Sequence, residues 1–341
     1  MNGRRRVAVT GAPGWLGTAL VRALLTGGRH GAHEGPGVSV RALVKPGIPL
    51  GELRMLEGDL EIVTADLRDS RTLEGCLEGV DSLVHAASLI HPQRISELYA
   101  VNVDGTRHLL EEAVRSGLQR VVYISSNSPV GVSRGPSHVM NEDDVPRPYF
   151  HYGRSKLEAE ELVRAVHGAG HVETVILRPC WFYGPQQPAR QTRFFRMIQG
   201  GRPLVFGTGE NLRSMSFIDN VVQGVLLGLD SSAASGRTYW IADERPYTFN
   251  EIISVVGSLL GVASLRPRHL PAITSNACQL VDHLVQSVGL YQKEIHVAGE
   301  LSSTIAVSIE AAAKDLGYVP QVALEEGMRR SIAWCRQVGQ L

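Results

Sequence analysis

Tyr152-Gly-Arg-Ser-Lys156 places a phenol and an ammonium four residues apart. On a helix this spacing puts both groups on one face. A neighbouring cation favours the phenolate, so the tyrosine's pKa is expected to fall toward working pH. Such a phenol can give or take a proton at a carbonyl or carbinol oxygen. A solvated helix face has the same spacing, so the pair gains weight only from what accompanies it. Upstream, Val121-Val-Tyr-Ile-Ser-Ser-Asn-Ser128 reads as a strand ending in hydroxyl residues. Ser126 could hydrogen-bond a substrate oxygen while Tyr152 moves its proton. Ser125 and Ser128 are rivals for that role, and either could instead close a turn.

The second accompaniment is Val7-Ala-Val-Thr-Gly-Ala-Pro-Gly-Trp-Leu-Gly17, an apolar strand running into a glycine turn. Gly11 permits the tight bend, Gly14 lets backbone approach a pyrophosphate, and Gly17 allows close helix–strand packing. Amides at the start of the next helix, at Trp15 and Leu16, would face the anion. An acid ending the second strand would select NAD through the ribose 2′-hydroxyl. Here Val40-Arg-Ala-Leu-Val-Lys45 ends in a cation. Lys45, with Arg41 as a second candidate, could pair with a 2′-phosphate, which points to NADP and leaves NAD open. Asp66-Leu67 could border the adenine, although Asp66 could equally cap a helix. Ala86 and Ala87 follow the fourth strand as small residues beside which a dinucleotide can pass.

These groups need a frame. Strands are expected at 6–10, 38–45, 61–65, 83–86, 121–125 and 174–177, with helices near 18–26, 103–116 and 152–167 between them. Such alternation predicts an α/β fold, a Rossmann-type doubly wound parallel sheet whose ligands lie beyond the carboxyl ends of the strands. After Arg178-Pro179 the texture changes to prolines and glycines. The expected division is a dinucleotide-binding domain over 1–178 and a substrate-binding region over 179–341 that partly returns to the main sheet. Further helices are expected at 272–288, as a lid or a packed helix, and at 324–337.

The 341 residues hold 34 Lys plus Arg against 34 Asp plus Glu, which argues against a broad nucleic-acid surface. Arg4, Arg5 and Arg6 lead straight into a strand, so no signal peptide is expected. No apolar run reaches the length of a membrane span, and no membrane partner is expected. Cys76, Cys180, Cys278 and Cys335 form no C-x-x-C pair. Reduced thiols, a cytoplasmic location and no metal site are the expectation.

The ordered set resembles the extended short-chain dehydrogenase/reductase family, the group of NAD-dependent epimerase/dehydratases and 3-beta-hydroxysteroid dehydrogenase-like enzymes. The matching pieces are Thr10 to Gly17, Asp66-Leu67, His85-Ala-Ala87, Asn102-Val-Asp-Gly-Thr106, the serine-rich strand end, Tyr152 with Lys156, and Arg178-Pro179 with Tyr183-Gly-Pro185. Gly207 to Arg213 and Phe217-Ile-Asp-Asn220 extend the likeness. The resemblance implies Tyr152 as acid/base, Lys156 lowering its pKa and holding the nicotinamide ribose, and Ser126 orienting substrate. It implies Gly11, Gly14, Trp15, Leu16, Gly17, Lys45, Asp66, Leu67, Ala86, Ala87, Tyr152, Lys156 and Pro179 along the cofactor, and Asn102 near the helix that supports the site.

The expected function is therefore an NAD(P)-dependent oxidoreductase acting on a secondary alcohol or ketone. Dehydration is disfavoured, because Asn127 and Ser128 stand where sugar-nucleotide dehydratases carry an Asp-Glu pair. A sugar-nucleotide 4-epimerase with tightly held NAD is the alternative, for which Arg213 would meet a diphosphate unless it forms a surface salt bridge. Trp181, Phe182 and Tyr183 would line an apolar pocket or belong to the core. A third alternative is a non-catalytic dinucleotide-binding scaffold or redox sensor. The helices at 103–116 and 152–167 are the expected interface of a homodimer.

Overall fold

The computed structural model describes residues 5–27 and 38–341; Arg4 lies outside them. Six short β-branched runs form the strands of a parallel sheet: β1 (Arg6–Thr10), β2 (Ser39–Val44), β3 (Leu60–Thr64), β4 (Ser82–His85), β5 (Arg120–Ile124) and β6 (Glu173–Pro179). A seventh, β7 (Thr238–Ile241), adds in parallel to β6, giving the order β7-β6-β5-β4-β1-β2-β3. Every neighbouring pair is parallel. This is the expected doubly wound sheet. Its strand order reverses between β1 and β4, so the crevice opens beyond Thr10 and His85.

Apart from the largely exposed edge strand β3, the strands are buried and mainly apolar because both faces are covered. On one face α1 (Trp15–Thr26) packs its Leu16, Leu20 and Leu24 stripe against Val7, Val9, Val40 and Val84. On the other face Ala8, Leu83, Val121 and Tyr123 meet Leu109, Leu110, Ala159 and Val163. Those four come from α3 (Gly105–Arg115) and α4 (Phe150–Gly168). A short α2 (Ile95–Tyr99) and a π-helical turn over Ala100–Asp104 lead into α3.

Beyond Pro179 the chain forms α5 (Ala189–Gln199), α6 (Ile218–Asp230), α7 (Phe249–Leu260), α8 (Ala272–Ser287), α9 (Lys293–Glu300), α10 (Glu310–Leu316) and α11 (Leu324–Gln337). Of these, α6 packs back onto the sheet, its Val221, Val222 and Val225 joining the first core. The Phe217-Ile-Asp-Asn220 motif is an anchor there. The Asn220 amide oxygen accepts from the Gln321 and Val322 amides at 2.9 and 3.2 Å, and its Nδ2 donates to Asp243 at 3.1 Å. Asp243 also accepts from Tyr183 at 2.6 Å. Tyr183 is thus core, whereas Trp181 and Phe182 remain half-buried against Phe194 and Trp15.

Gly17 shows how tightly the nucleotide turn is drawn onto α1. A Cβ there would lie 2.1 Å from the Gly11 carbonyl oxygen and 2.7 Å from the Ala12 Cα. Glycine to alanine inside a helix ordinarily stabilises by about 0.5–1 kcal/mol. At this position the backbone clash reverses the sign. Gly17→Ala is expected to lower the urea midpoint, and a midpoint at or above wild type would contradict the packing described.

Candidate active site

Two strand ends form the floor of the crevice. Gly11 has φ +71°, and a Cβ on it would meet the Ala87 backbone at 3.0 Å. The turn after β1 and the Ala86-Ala87 segment after β4 therefore pack backbone to backbone. Thr10, His85 and Thr106 fix that contact. The Thr106 hydroxyl donates to the Asn102 carbonyl at 2.7 Å, so His85 Nε2 must donate to Thr106 Oγ1 at 2.9 Å. His85 Nδ1 then accepts from Thr10 Oγ1 at 2.8 Å, and Thr10 accepts the Ala87 amide at 3.1 Å. The chain needs a neutral ring, and burial and then the charge of Lys156 push the His85 pKa down to about 3.

No side chain caps the N-terminus of α1. That uncapped first turn, the exposed Gly14 and the small-residue floor fit a dinucleotide pyrophosphate. Leu16 and Gly17 are buried in the turn, while Trp15 is half-buried and donates from its indole to the Pro185 carbonyl at 2.7 Å. Lys45 follows β2 exposed, and its charge reaches Asp66. Asp66 is clasped by Arg68, Nε to Oδ1 at 3.0 Å and Nη2 to Oδ2 at 2.6 Å. Arg68 is thus a second cation near Lys45 that the sequence reading missed. Arg41, weighed as Lys45's companion, is turned away. It is buried, with Nε on Glu61 at 2.8 Å and Nη1 on the carbonyls of Cys76 and Glu78. Leu67 packs against the second core and its carbonyl meets His108 Nδ1 at 3.0 Å.

The loop after β5 and the start of α4 meet closely. A Cβ on Gly153 would lie 2.5 Å from the Ser128 carbonyl oxygen, so only glycine lets Tyr152 approach the serine loop this far. The structure separates the three serines. Ser126 lies beside the Tyr152 phenol, where its hydroxyl favours the ionised form. Ser125 is buried beside Glu160, and Ser128 gives its amide to Ser126 Oγ at 3.1 Å and its carbonyl to the Tyr149 amide at 3.0 Å. Ser88 is a second hydroxyl facing Tyr152. Its position comes from Asn102, whose Oδ1 accepts from Ser88 at 3.2 Å and from the Leu89 amide at 2.8 Å. Asn102 Nδ2 donates to Ser155 at 3.1 Å, tying the β4 end to the turn of α4 that carries Tyr152. Pro179 ends β6 and is buried, paired with Ile241 of β7.

The expected fall in the Tyr152 pKa is corrected by this geometry. Burial raises it, and the hydroxyls of Ser126 and Ser88 only partly offset that rise. The Lys156 ammonium is engaged elsewhere. It donates to the Ile124 carbonyl at 2.8 Å and sits 4.2 Å from the centre of the Tyr123 ring. Burial brings the Lys156 pKa down to about 7, against the opposing field of Glu160. Glu160 is one helical turn further along and fully buried, with Arg178 on both oxygens at 2.8 and 2.6 Å and Arg164 at 2.7 Å. Burial would raise its pKa, yet the arginines hold it low.

The wall formed by the start of α4 with α8 and α9 carries groups that the sequence reading did not single out. Phe150 opens α4 at φ 49°, a conformation rare for a bulky side chain. Its ring lies 4.4 Å from Tyr149 and 5.9 Å from His296. His296 is held by buried Asp282 at 2.7 Å, with Glu300 3.9 Å from its other nitrogen. Burial pulls the His296 pKa down, but Asp282 and Glu300 prevail and raise it. Arg213 is buried, not a surface ion pair, and donates to the Glu300 carbonyl. The aromatic pair Tyr149-Phe150, ending two residues before Tyr152, was the one legible hint of this wall.

Comparison with known proteins agrees with the fold and the ordered motifs. The family model described as NAD dependent epimerase/dehydratase family matches residues 7–242. The uncharacterized protein y4nL of Sinorhizobium fredii (strain NBRC 101917 / NGR234) is 42% identical over 343 residues, spanning 98% of this chain and 96% of its own. The 2-alkyl-3-oxoalkanoate reductase of Stenotrophomonas maltophilia (strain K279a) is 28% identical over 340 residues, 95% of this chain and 98% of its own. Among solved structures, DesIV (dTDP-glucose 4,6-dehydratase) from Streptomyces venezuelae with NAD and TYD bound is 27% identical, covers 97% of each chain and superposes with a TM-score of 0.78. The chain belongs to the NAD dependent epimerase/dehydratase family, within the extended short-chain dehydrogenase/reductases.

Glu160→Gln removes the carboxylate that opposes the burial shift on Lys156. In an NMR titration of labelled lysine side chains, Lys156 is expected to titrate near neutrality in the wild type and lower in the variant. Unpairing Arg178 should also cost about 3–5 kcal/mol in urea unfolding. An unmoved Lys156 titration would show that Glu160 does not set its charge.

Proposed function

We propose that this family member is an NAD(P)-dependent oxidoreductase that interconverts a secondary alcohol and a ketone, with Tyr152 as the proton donor and acceptor. The observation that carries this reading is the convergence of the Tyr152 phenol, the Ser126 and Ser88 hydroxyls and the buried Lys156 at the carboxyl ends of β4 and β5. When bound, the dinucleotide supplies the hydride donor or acceptor. Gly11, Gly14, Gly17, Ala86 and Ala87 would lie along it, with the amides of Trp15 and Leu16 at the pyrophosphate and Pro179 near the nicotinamide end. Asp66 and Leu67 would border the adenine.

The chain's own part in the reaction is proton and charge placement. Ser126 and Ser88 orient the substrate oxygen toward Tyr152. A phenol whose pKa is raised by burial holds its proton, the one that the oxygen of a ketone being reduced must receive. Lys156, fixed by the Ile124 carbonyl, would hold the nicotinamide ribose. The aromatic wall of Tyr149, Phe150 and Tyr291 supports an apolar substrate, as does the likeness to a 2-alkyl-3-oxoalkanoate reductase.

An NDP-sugar 4-epimerase with tightly bound NAD is the second reading. It is favoured by the likeness to a nucleotide-sugar dehydratase and by Arg213 at the substrate wall. Arg213 already serves the Glu300 carbonyl, which weakens its case as a diphosphate anchor. A dinucleotide-binding scaffold without catalysis would leave the Ser–Tyr–Lys geometry without purpose. A homodimer through α3 and α4 completes the proposal.

Ketone-dependent oxidation of NADPH or NADH tests the first reading, and a retained NAD with no net consumption supports the second. Tyr152→Phe keeps the ring and removes its proton. Turnover is expected to fall by about 10²- to 10⁴-fold. Near-normal turnover would remove Tyr152 from the chemistry.

Lys45→Ala should weaken NADPH by about tenfold, some 1.4 kcal/mol, and leave NADH nearly unchanged. Equal effects on both, measured by fluorescence titration, would withdraw the 2′-phosphate role.

A further inference from the structure

The helix over the substrate side is built inside out. In α8 the buried positions are polar: Ser275, Asp282 and Gln286. They are satisfied within the protein. Ser275 donates to the Ala298 and Gly299 carbonyls at 2.9 and 2.8 Å, Asp282 holds His296, and the His151 amide donates to Gln286 Oε1 at 3.4 Å. The outer face is apolar. Ile273 is 72% exposed, Leu280 63%, Leu284 58% and Val288 70%, with Val281 and the following Leu290 also exposed. At the helical repeat these α8 positions fall within an arc of about 100°. Of the large hydrophobic residues exposed among the described residues, the 273–297 segment holds seven of sixteen. Single exposed apolar residues are ordinary, but a stripe of this extent marks an interaction surface.

The charge around the stripe selects the partner. Between Glu251 and Glu294 the only acid is Asp282, which is buried. Exposed Arg266 and Arg268 precede the helix. Lys293 follows it, close to Arg190 and Arg193; Glu294, which pairs with Arg193 at 3.6 Å, lies just beyond. Cations therefore stand at both ends of an uncharged apolar face. A second copy meeting this face across a twofold axis would set cations against cations. We propose that α8 is a docking helix for an anionic phospholipid surface, lying in the interface with its apolar stripe down and Arg266, Arg268 and Lys293 at the phosphates. No helix among the described residues is long and apolar enough to cross a membrane. Lying on a bilayer needs no span. The inference does not depend on the reaction proposed above.

Flotation on a density gradient tests this, using the full chain and phosphatidylcholine vesicles with or without phosphatidylglycerol. The wild type is expected to float with the anionic vesicles at low salt and to release at high salt. Leu280→Glu with Leu284→Glu should reduce the floating fraction about tenfold. Arg266→Glu with Arg268→Glu should reduce it for anionic vesicles only. Both variants should keep the wild-type urea midpoint and dinucleotide affinity, which separates lost docking from lost folding. Wild-type protein that stays unbound with both vesicles overturns the proposal. So does a leucine variant that floats as well as the wild type. A light-scattering mass of two copies that falls to one in the leucine variant, without flotation, assigns the face to self-association and also overturns it.

Discussion

A buried ammonium governs this architecture. Lys156 is almost wholly removed from water, with one hydrogen-bonded carbonyl, an aromatic face and a carboxylate one helical turn away to support its charge. Desolvation alone would neutralise it. Glu160 opposes that, and Glu160 can stay ionised in the interior only because Arg178 and Arg164 grip it. Arg178 lies in β6, Ile124 in β5 and Glu160 in α4, so one charge balance joins three elements of the sheet layer. It also places Tyr152, one turn before Lys156, at the strand ends where the crevice opens.

Around that balance the site is assembled from close backbone approaches. Gly17 brings α1 onto the nucleotide turn, and Gly153 brings α4 onto the serine loop. Polar chains complete the work. Asn102 links the β4 end to α4, and the neutral His85 links β1 to α3. None of these contacts lies on a surface. They hold hydroxyls and amides in fixed directions while leaving only small residues on the floor.

Much of this was legible in the sequence because its causes are local. Apolar runs of five residues gave the strands, the glycine spacing gave the nucleotide turn, and the four-residue offset gave one helical face to Tyr152 and Lys156. The direction of the Tyr152 pKa was not legible. It depends on how deeply the phenol is buried and on where Lys156 spends its ammonium, both set by tertiary packing. Arg41 was misread for a similar reason: a strand residue's face is clear from alternation, but the carbonyls of Cys76 and Glu78 that capture it come from another segment. The α8–α9 wall was hardest to read. Its buried residues are polar and its exposed ones apolar, the reverse of the pattern that identifies a core.

Trp15 belongs to the nucleotide turn, yet its indole is bonded to the carbonyl of Pro185 and its ring rests on Phe182. The segment from Phe182 to Pro185 is thus tied to the first residue of α1. Removing that indole would take a contact from both segments at once, so a change at position 15 is felt on the nucleotide turn and at Pro185 together.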